Sequence, residues 1–287
     1  MRVNAFIRFV VERYCIYLKR KKGSPPPWTD DKILRQYRFC NVYREYDKVT
    51  RWLHTNWRLP YRDHKDLWFW MVIARFINRI EALEVLPPPT NGGFNPARFM
   101  DILHSYQRKG NKVFSAAYII STGGKRMDKI EYVAEHVLDP LWKALHNLRP
   151  VKGDYLANYA VKLRMYNGLG SFITGQIIAD IKYVRPLLHA RDWWTFAVSG
   201  PGSRRGLNRV YDRTGRWNEF EWYDSLLALW KRVEEPFKEV DMPPMHMQDL
   251  QNCLCEFDKY ERARLGEGRP KQNYNYDSPS LTQYKLL

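Results

Sequence analysis

Apolar residues recur at helical spacing along most of this chain, and alternating runs bounded by hairpin turns are scarce. Residues 2–20 place Phe6, Ile7, Val10, Tyr14, Tyr17 and Leu18 on one stripe, which predicts an amphipathic helix ending in the basic run at 19–22. Thr29, followed by Asp30 and Asp31, predicts an N-cap and a helix running to about Trp57. Ile33, Tyr37, Cys40, Tyr43 and Asp47 fall along one side of that helix, and Asn41, Arg44, Lys48 and Arg51 along another. Residues 67–86 are strongly apolar and near membrane length, but Arg75, Arg79, Glu81 and Glu84 interrupt them, so a buried core helix is expected. The break Pro87-Pro88-Pro89-Thr90-Asn91-Gly92-Gly93 predicts a lobe boundary near 87–95, after which Pro96 suits the first turn of a helix through Tyr106. Asp139-Pro140 starts a short helix through Leu148, and 220–233 and 247–265 read as amphipathic helices. The expected fold is all-α: one helical domain over 1–265 in two lobes with a cleft between them, then an extended polar tail over 266–287.

Charge changes this picture more than composition does. The 287 residues carry a formal net charge of +16, which favours a polyanionic partner, with nucleic acid the first candidate. Eleven tryptophans and 19 tyrosines fill a core and can also stack on bases. Cys15, Cys40, Cys253 and Cys255 are split between the chain ends without a C-x2-C pair, so free thiols are expected rather than an iron–sulfur cluster. The histidines show no metal spacing, and neither a metal nor a cofactor is expected. The amino-terminal stretch lacks a signal peptide's apolar core, so the expected location is cytoplasmic, with no membrane and no obligate protein partner.

Candidate chemistry concentrates in 155–212. Leu156, Tyr159, Ala160 and Leu163 pattern one helix, Gly168-Leu169-Gly170 makes a tight turn, and Ile173, Ile177, Ile181 and Val184 pattern a second helix that Ser171 can cap. Such a turn lets backbone N–H groups approach a phosphate, although a plain helical hairpin has the same spacing. Asp192, followed by Trp193 and Trp194, stands 22 residues after Gly170. This arrangement resembles the helix-hairpin-helix DNA glycosylases, in which a glycine hairpin grips the DNA backbone and an aspartate about that far downstream does the chemistry. Phe172 and Ile173 stand where bifunctional members carry a lysine, and the Val-Asp-Thr-His context of that family is missing. The resemblance makes Asp192 the candidate carboxylate, with a helix N-cap as its structural alternative; Asp180 is second and Asp47 third. Gly168, Gly170, Ser171 and Thr174 would hold the DNA backbone. Lys125, in the basic loop 121–126, and Arg204 and Arg205, on the helix opened by Gly200-Pro201-Gly202-Ser203, are candidate phosphate contacts. Asn41, Arg44, Asp47 and Trp193 are candidates for a base pocket. The basic loop lacks the G-x4-G-K-[ST] pattern of a nucleotide P-loop.

The segments PWTDDKILRQYRFCNVYREYDKVTRW, GPGSRRGLNRV and LQNCLCEFDKYERARLGEGRP resemble, over nearly the whole chain, a helical family. It comprises the 5-hydroxymethyluracil DNA kinase helical domain and the α-glutamyl/putrescinyl thymine pyrophosphorylases. That resemblance implies a glycosylase-like fold and a modified pyrimidine in phage DNA as substrate. The leading expectation is a monofunctional DNA glycosylase that flips out such a base and hydrolyses its glycosidic bond, leaving an abasic site, in defence against phage. The alternatives are a transferase that couples an amino acid to a phosphorylated hydroxymethyluracil in DNA, and a non-catalytic DNA-binding module.

Overall fold

The structure, a computed structural model, describes residues 2–88, 93–115, 120, 122 and 124–274. Among these the chain is all-α, and the sole β feature is an isolated bridge between Tyr37 and Asn273. The chain divides into two compact units, Met1–Asp47 with Ala197–Leu287, and Lys48–Phe196. The proline-rich stretch at 87–95 falls inside the second unit, and its residues 89–92 lie outside the described ones.

The first unit is built on the helices Val3–Lys21, Pro201–Tyr211, Glu219–Lys238 and Met247–Arg264. Their apolar stripes meet in one core: Phe6, Phe9 and Val10 from the first helix, Leu226, Leu229 and Val233 from the third, Leu250, Leu254 and Phe257 from the fourth. Phe257 lies edge-on to Phe6 at 5.4 Å between ring centroids. Each such fully buried side chain contributes about 1.5–3 kcal/mol. Pro201–Tyr211 and Met247–Arg264 cross at contact distance because Gly206 has no side chain. A Cβ there would sit 2.1 Å from the Leu254 carbonyl oxygen, and one at Gly202 would sit 3.2 Å from Cys255 Sγ.

The long helix expected from Thr29 to Trp57 is broken. Asp31, not Thr29, is the N-cap: its carboxylate accepts from the N–H groups of Ile33 and Leu34, and the helix Lys32–Gln36 ends at the extended Tyr37. The chain stays extended past Cys40, turns once through Arg44–Tyr46, and resumes as Lys48–Leu53 and the π-turn His54–Arg58. Val42 and Tyr43 are buried in the core of the first unit, so their apolar character reflects docking of an irregular segment, not one helix face. The first tail residues also dock: Arg38 N–H donates to Gln272 O, and Tyr274 N–H to Gln36 O.

In the second unit all 11 residues of Leu67–Ile77 are buried, as a core helix requires. It stops earlier than the apolar run does, because Asn78 takes the left-handed conformation and caps it. Pro96–Arg108 starts with Asn95 as N-cap and Pro96 in the first turn. Leu156–Arg164 and Ser171–Ile181 form the expected helical hairpin. No helix among the described residues is long and apolar enough to cross a membrane.

Candidate functional site

The hairpin of the second unit has the predicted shape, but its polar groups are largely occupied in folding. Gly168 has φ +78°, and a Cβ there would lie 2.8 Å from Val137 Cγ2, so the turn requires glycine twice over. Gly170 is the N-cap of Ser171–Ile181, and both Gly170 and Ser171 are exposed. Thr174 is fully buried and donates to Leu169 O at 3.0 Å, which removes it from any surface that could meet DNA. The basic loop is partly outside the described residues, at 121 and 123; Lys125 there is exposed, with Nζ 3.2 Å from His136 Nε2.

Asp192 is a helix cap. Its two oxygens accept from Leu156 N–H at 2.8 Å and Ala157 N–H at 2.9 Å, closing the start of Leu156–Arg164 from 36 residues away. Asp180 is fully buried, and Arg75 grips both of its oxygens while also reaching Thr50 Oγ1 and Asn78 Oδ1. A carboxylate so enclosed holds the helices Leu67–Ile77 and Ser171–Ile181 together and cannot meet a substrate. Trp193 is half-buried; its indole N–H donates to Lys182 O, and Lys182 Nζ sits 4.0 Å above its ring.

The first unit gathers side chains of a different kind. On Pro201–Tyr211, Arg205 and Arg209 are four residues apart and share one face. Arg205 Nε meets Asp258 Oδ2 at 2.8 Å, Arg209 Nε meets Asp258 Oδ1 at 2.9 Å, and Arg262 Nε approaches Oδ2 at 3.4 Å. Asp258 is completely buried, whereas Arg205 remains 51% exposed. The carboxylate therefore orients the part-exposed guanidinium groups of Arg205 and Arg262, whereas Arg209 is mostly buried and its Nη2 meets Glu267 Oε2 at 2.5 Å. Beside them lies an open groove of about 520 Å³, lined by Arg2, Arg205, Asn208, Arg209, Asp212 and Arg213 among others. Arg213 stacks 3.8 Å from the Trp217 ring centroid. Arg204 belongs to the scaffold instead: its three nitrogens engage Ser199 Oγ, Trp217 O and Glu219.

Asn41, Arg44 and Asp47 do come close together, but on a turn. Asn41 Nδ2 donates to Tyr46 O at 3.0 Å and to Asp47 Oδ1 at 3.1 Å, and Arg44 N–H donates to Asp249 Oδ1 at 3.1 Å. Asp249 in turn lies 3.1 Å from His246 Nε2. Nearby, the charge of Glu256 and then burial push the Cys40 thiol up to about 12, and burial holds Cys253 at about 11 and Cys255 at about 12. Cys253 is fully buried and held as a neutral thiol, whereas Cys40 is exposed at the surface and its rise rests on the neighbouring Glu256 charge. Among the described residues no three His, Cys, Asp or Glu side chains gather as a metal site.

A family model described as "5-hmdU DNA kinase, helical domain" matches residues 1–269. The chain belongs to this family. It is also 24% identical over 293 residues to a 5-hmdU DNA kinase of Bacillus phage SP10, a match that covers 88% of this chain and 43% of that protein. The chain thus spans less than half the length of that relative. No solved structure matches. The expectation of a hydrolytic DNA glycosylase is overturned, because the named relative is a kinase acting on modified DNA. The excision chemistry assigned to Asp192 and Asp180 falls with it, consistent with one being a cap and the other a buried ion pair. Of the three segments that carried the family resemblance, the second and third lie wholly in the first unit, and the first lies there up to Asp47 and in the second unit from Lys48 on. Sequence reasoning missed Arg209 and Asp258 as members of the arginine face, although the spacing of Arg205 and Arg209 was the available signal.

Proposed function

We propose that this member of the 5-hmdU DNA kinase helical-domain family holds DNA carrying 5-hydroxymethyluracil for group transfer at the hydroxymethyl oxygen. The observation that carries the reading is the arginine face of the first unit, built by the family's own segments around the buried Asp258. Arginines fixed by a carboxylate behind them suit phosphodiester oxygens, because little side-chain freedom is lost on binding. The Gly168–Ser171 turn, exposed at Gly168, Gly170 and Ser171, is a second candidate backbone contact within the second unit; Lys125 approaches His136, whose carbonyl accepts from Asn167 beside the turn.

In phosphoryl transfer the hydroxymethyl oxygen bonds to the terminal phosphorus of a nucleoside triphosphate, the nucleoside diphosphate leaves, and the hydroxyl proton is lost. This chain lacks the G-x4-G-K-[ST] pattern that cradles a triphosphate, so the reading assigns it the DNA-holding part of that reaction. A second reading is amino acid transfer onto an already phosphorylated hydroxymethyluracil. It would use the same DNA-holding face, with the phosphoryl group as the leaving group instead of the group transferred.

The test is nucleoside mass spectrometry on DNA incubated with the protein, alongside its binding to the same DNA. Phosphorylated hydroxymethyldeoxyuridine, formed with a nucleoside triphosphate, supports the first reading. An amino acid adduct formed on phosphomethyluracil DNA supports the second. Unaltered nucleosides with preferential binding of hydroxymethyluracil DNA support the holding role alone; no preference and no product sinks all three.

A further inference from the structure

The second unit leaves uncovered a surface that the DNA-holding reading does not use. The helix Leu156–Arg164 buries Leu156, Tyr159, Ala160 and Leu163. Its opposite face carries Ala157, Val161 and the C-cap Met165 at four-residue steps, with Arg164 beside them, and all four are exposed. Val161 is 61% and Met165 80% exposed. Singly such residues need no explanation; a row of them along one helix face does.

The turn Arg191–Trp194 borders the start of this helix, because Asp192 accepts from the N–H groups of Leu156 and Ala157. The helix start is thereby closed to any other anion. Arg191 is exposed; its Nη1 donates to Tyr155 Oη at 3.3 Å. Trp194 is 47% exposed and packs edge-on against Trp193, with ring centroids 5.0 Å apart. Aromatic, basic and apolar side chains are thus interleaved from Trp194 and Arg191 along the helix to Arg164 and Met165. The helix spans roughly 13 Å, so a ligand that meets both of its ends is an extended chain.

The three acidic residues of 151–194 are all engaged within the fold. Asp154 lies 3.7 Å from Lys162 and accepts from Val151 N–H, Asp192 holds its two backbone donors, and Asp180 is buried against Arg75. Among the described residues Arg164 and Arg191 form no ion pair. Two copies of this face set against each other would bring these cations together, so the charge favours a polyanion. A duplex hides the faces of its bases, whereas an unpaired strand offers them to aromatic and apolar side chains and its phosphates to guanidinium groups.

We propose that the exposed face of Leu156–Arg164, with Arg191 and Trp194 at its border, binds an unpaired DNA strand. Trp194 stacks on a base, Val161 and Met165 cover the bases that follow, and Arg164 and the Tyr155-held Arg191 meet phosphates. Enzymes that modify a nucleobase commonly take it out of the stack, which leaves such a strand to be held. The site lies wholly in the second unit and does not rest on the Arg205 face, so either reading can fail alone.

The experiment measures fluorescence anisotropy of a labelled oligothymidine, which does not pair, and of the same strand annealed to oligodeoxyadenosine. The full chain is compared with Trp194→Ala, Met165→Glu, Met165→Lys and Arg205→Gln, and light scattering follows the oligomeric state. Wild type is expected to bind the single strand, and Trp194→Ala to lose at least about fivefold in that affinity while its duplex affinity stays within about twofold. Met165→Glu is expected to weaken single-strand binding and Met165→Lys to keep or raise it, because the ligand is an anion. No binding of the single strand by wild type, or equal affinities of wild type and Trp194→Ala, overturns the proposal. Equal losses with both Met165 variants also overturn it, and a wild-type dimer that both variants dissociate assigns the face to a second copy instead. Should Trp194→Ala melt below wild type, the two variants at the exposed Met165 decide it. If Arg205→Gln flattens the duplex salt slope while Trp194→Ala leaves the single strand unaffected, the DNA-holding reading stands and this one falls.

Discussion

Asp180 in the second unit and Asp258 in the first are fully buried against arginine, and the two arrangements are built for opposite ends. In the second unit Asp180 and Arg75 are 0% and 3% exposed, so both charges vanish into the packing between two helices. In the first unit Asp258 is equally buried, yet of its partners Arg205 and Arg262 are 51% and 38% exposed, while Arg209, at 19% and also bound to Glu267, is mostly enclosed. The first arrangement neutralises a charge; the second fixes charges at a surface. A close look at where the guanidinium ends, and not at the pairing itself, separates a structural ion pair from a recognition element.

The sharpest way to break this contrast is to remove the fully enclosed carboxylate. Asp180→Ala leaves Arg75 buried without its carboxylate and should cost about 3–5 kcal/mol in urea unfolding, with no separate effect on DNA affinity in the fraction that remains folded. Next comes the helix crossing that carries the arginine face. Gly206→Ala drives a methyl group into the Leu254 carbonyl at 2.1 Å and should destabilise by about 1–3 kcal/mol while weakening DNA binding, because the face is displaced. Asp192→Ala should cost about 0.5–2 kcal/mol of stability through the lost cap of Leu156–Arg164 and leave DNA affinity unchanged. A loss of DNA affinity at unchanged stability would restore a surface role to Asp192. The smallest stability change belongs to Arg205→Gln, at about 1 kcal/mol or less, yet the slope of log affinity against log salt should fall by about 1.

How much of this the sequence disclosed follows from the range of each interaction. Helices whose apolar stripe is read within a few turns were legible: Val3–Lys21, Ser171–Ile181 and Met247–Arg264 sit where periodicity put them. The run from Thr29 to Trp57 misled because Tyr37, Val42 and Tyr43 are apolar for a non-local reason, packing against other elements while the backbone is extended or turning. Asp192 was the candidate carboxylate through the glycosylase-like spacing, with an N-cap as the alternative; the helix it caps was hidden because Leu156 and Ala157 lie 36 and 35 residues before it. Asp258 meets Arg205 across 53 residues, a distance no local spacing encodes.

The central claim is that the arginine face engages DNA bearing 5-hydroxymethyluracil. The most direct measurement is fluorescence anisotropy of two duplexes that differ only in hydroxymethyluracil against thymine, titrated at several salt concentrations with wild type and Arg205→Gln. The account predicts tighter binding of the hydroxymethyluracil duplex and a shallower salt slope for the variant on both duplexes. Equal affinities for the two duplexes, with a slope that Arg205→Gln does not alter, would contradict it.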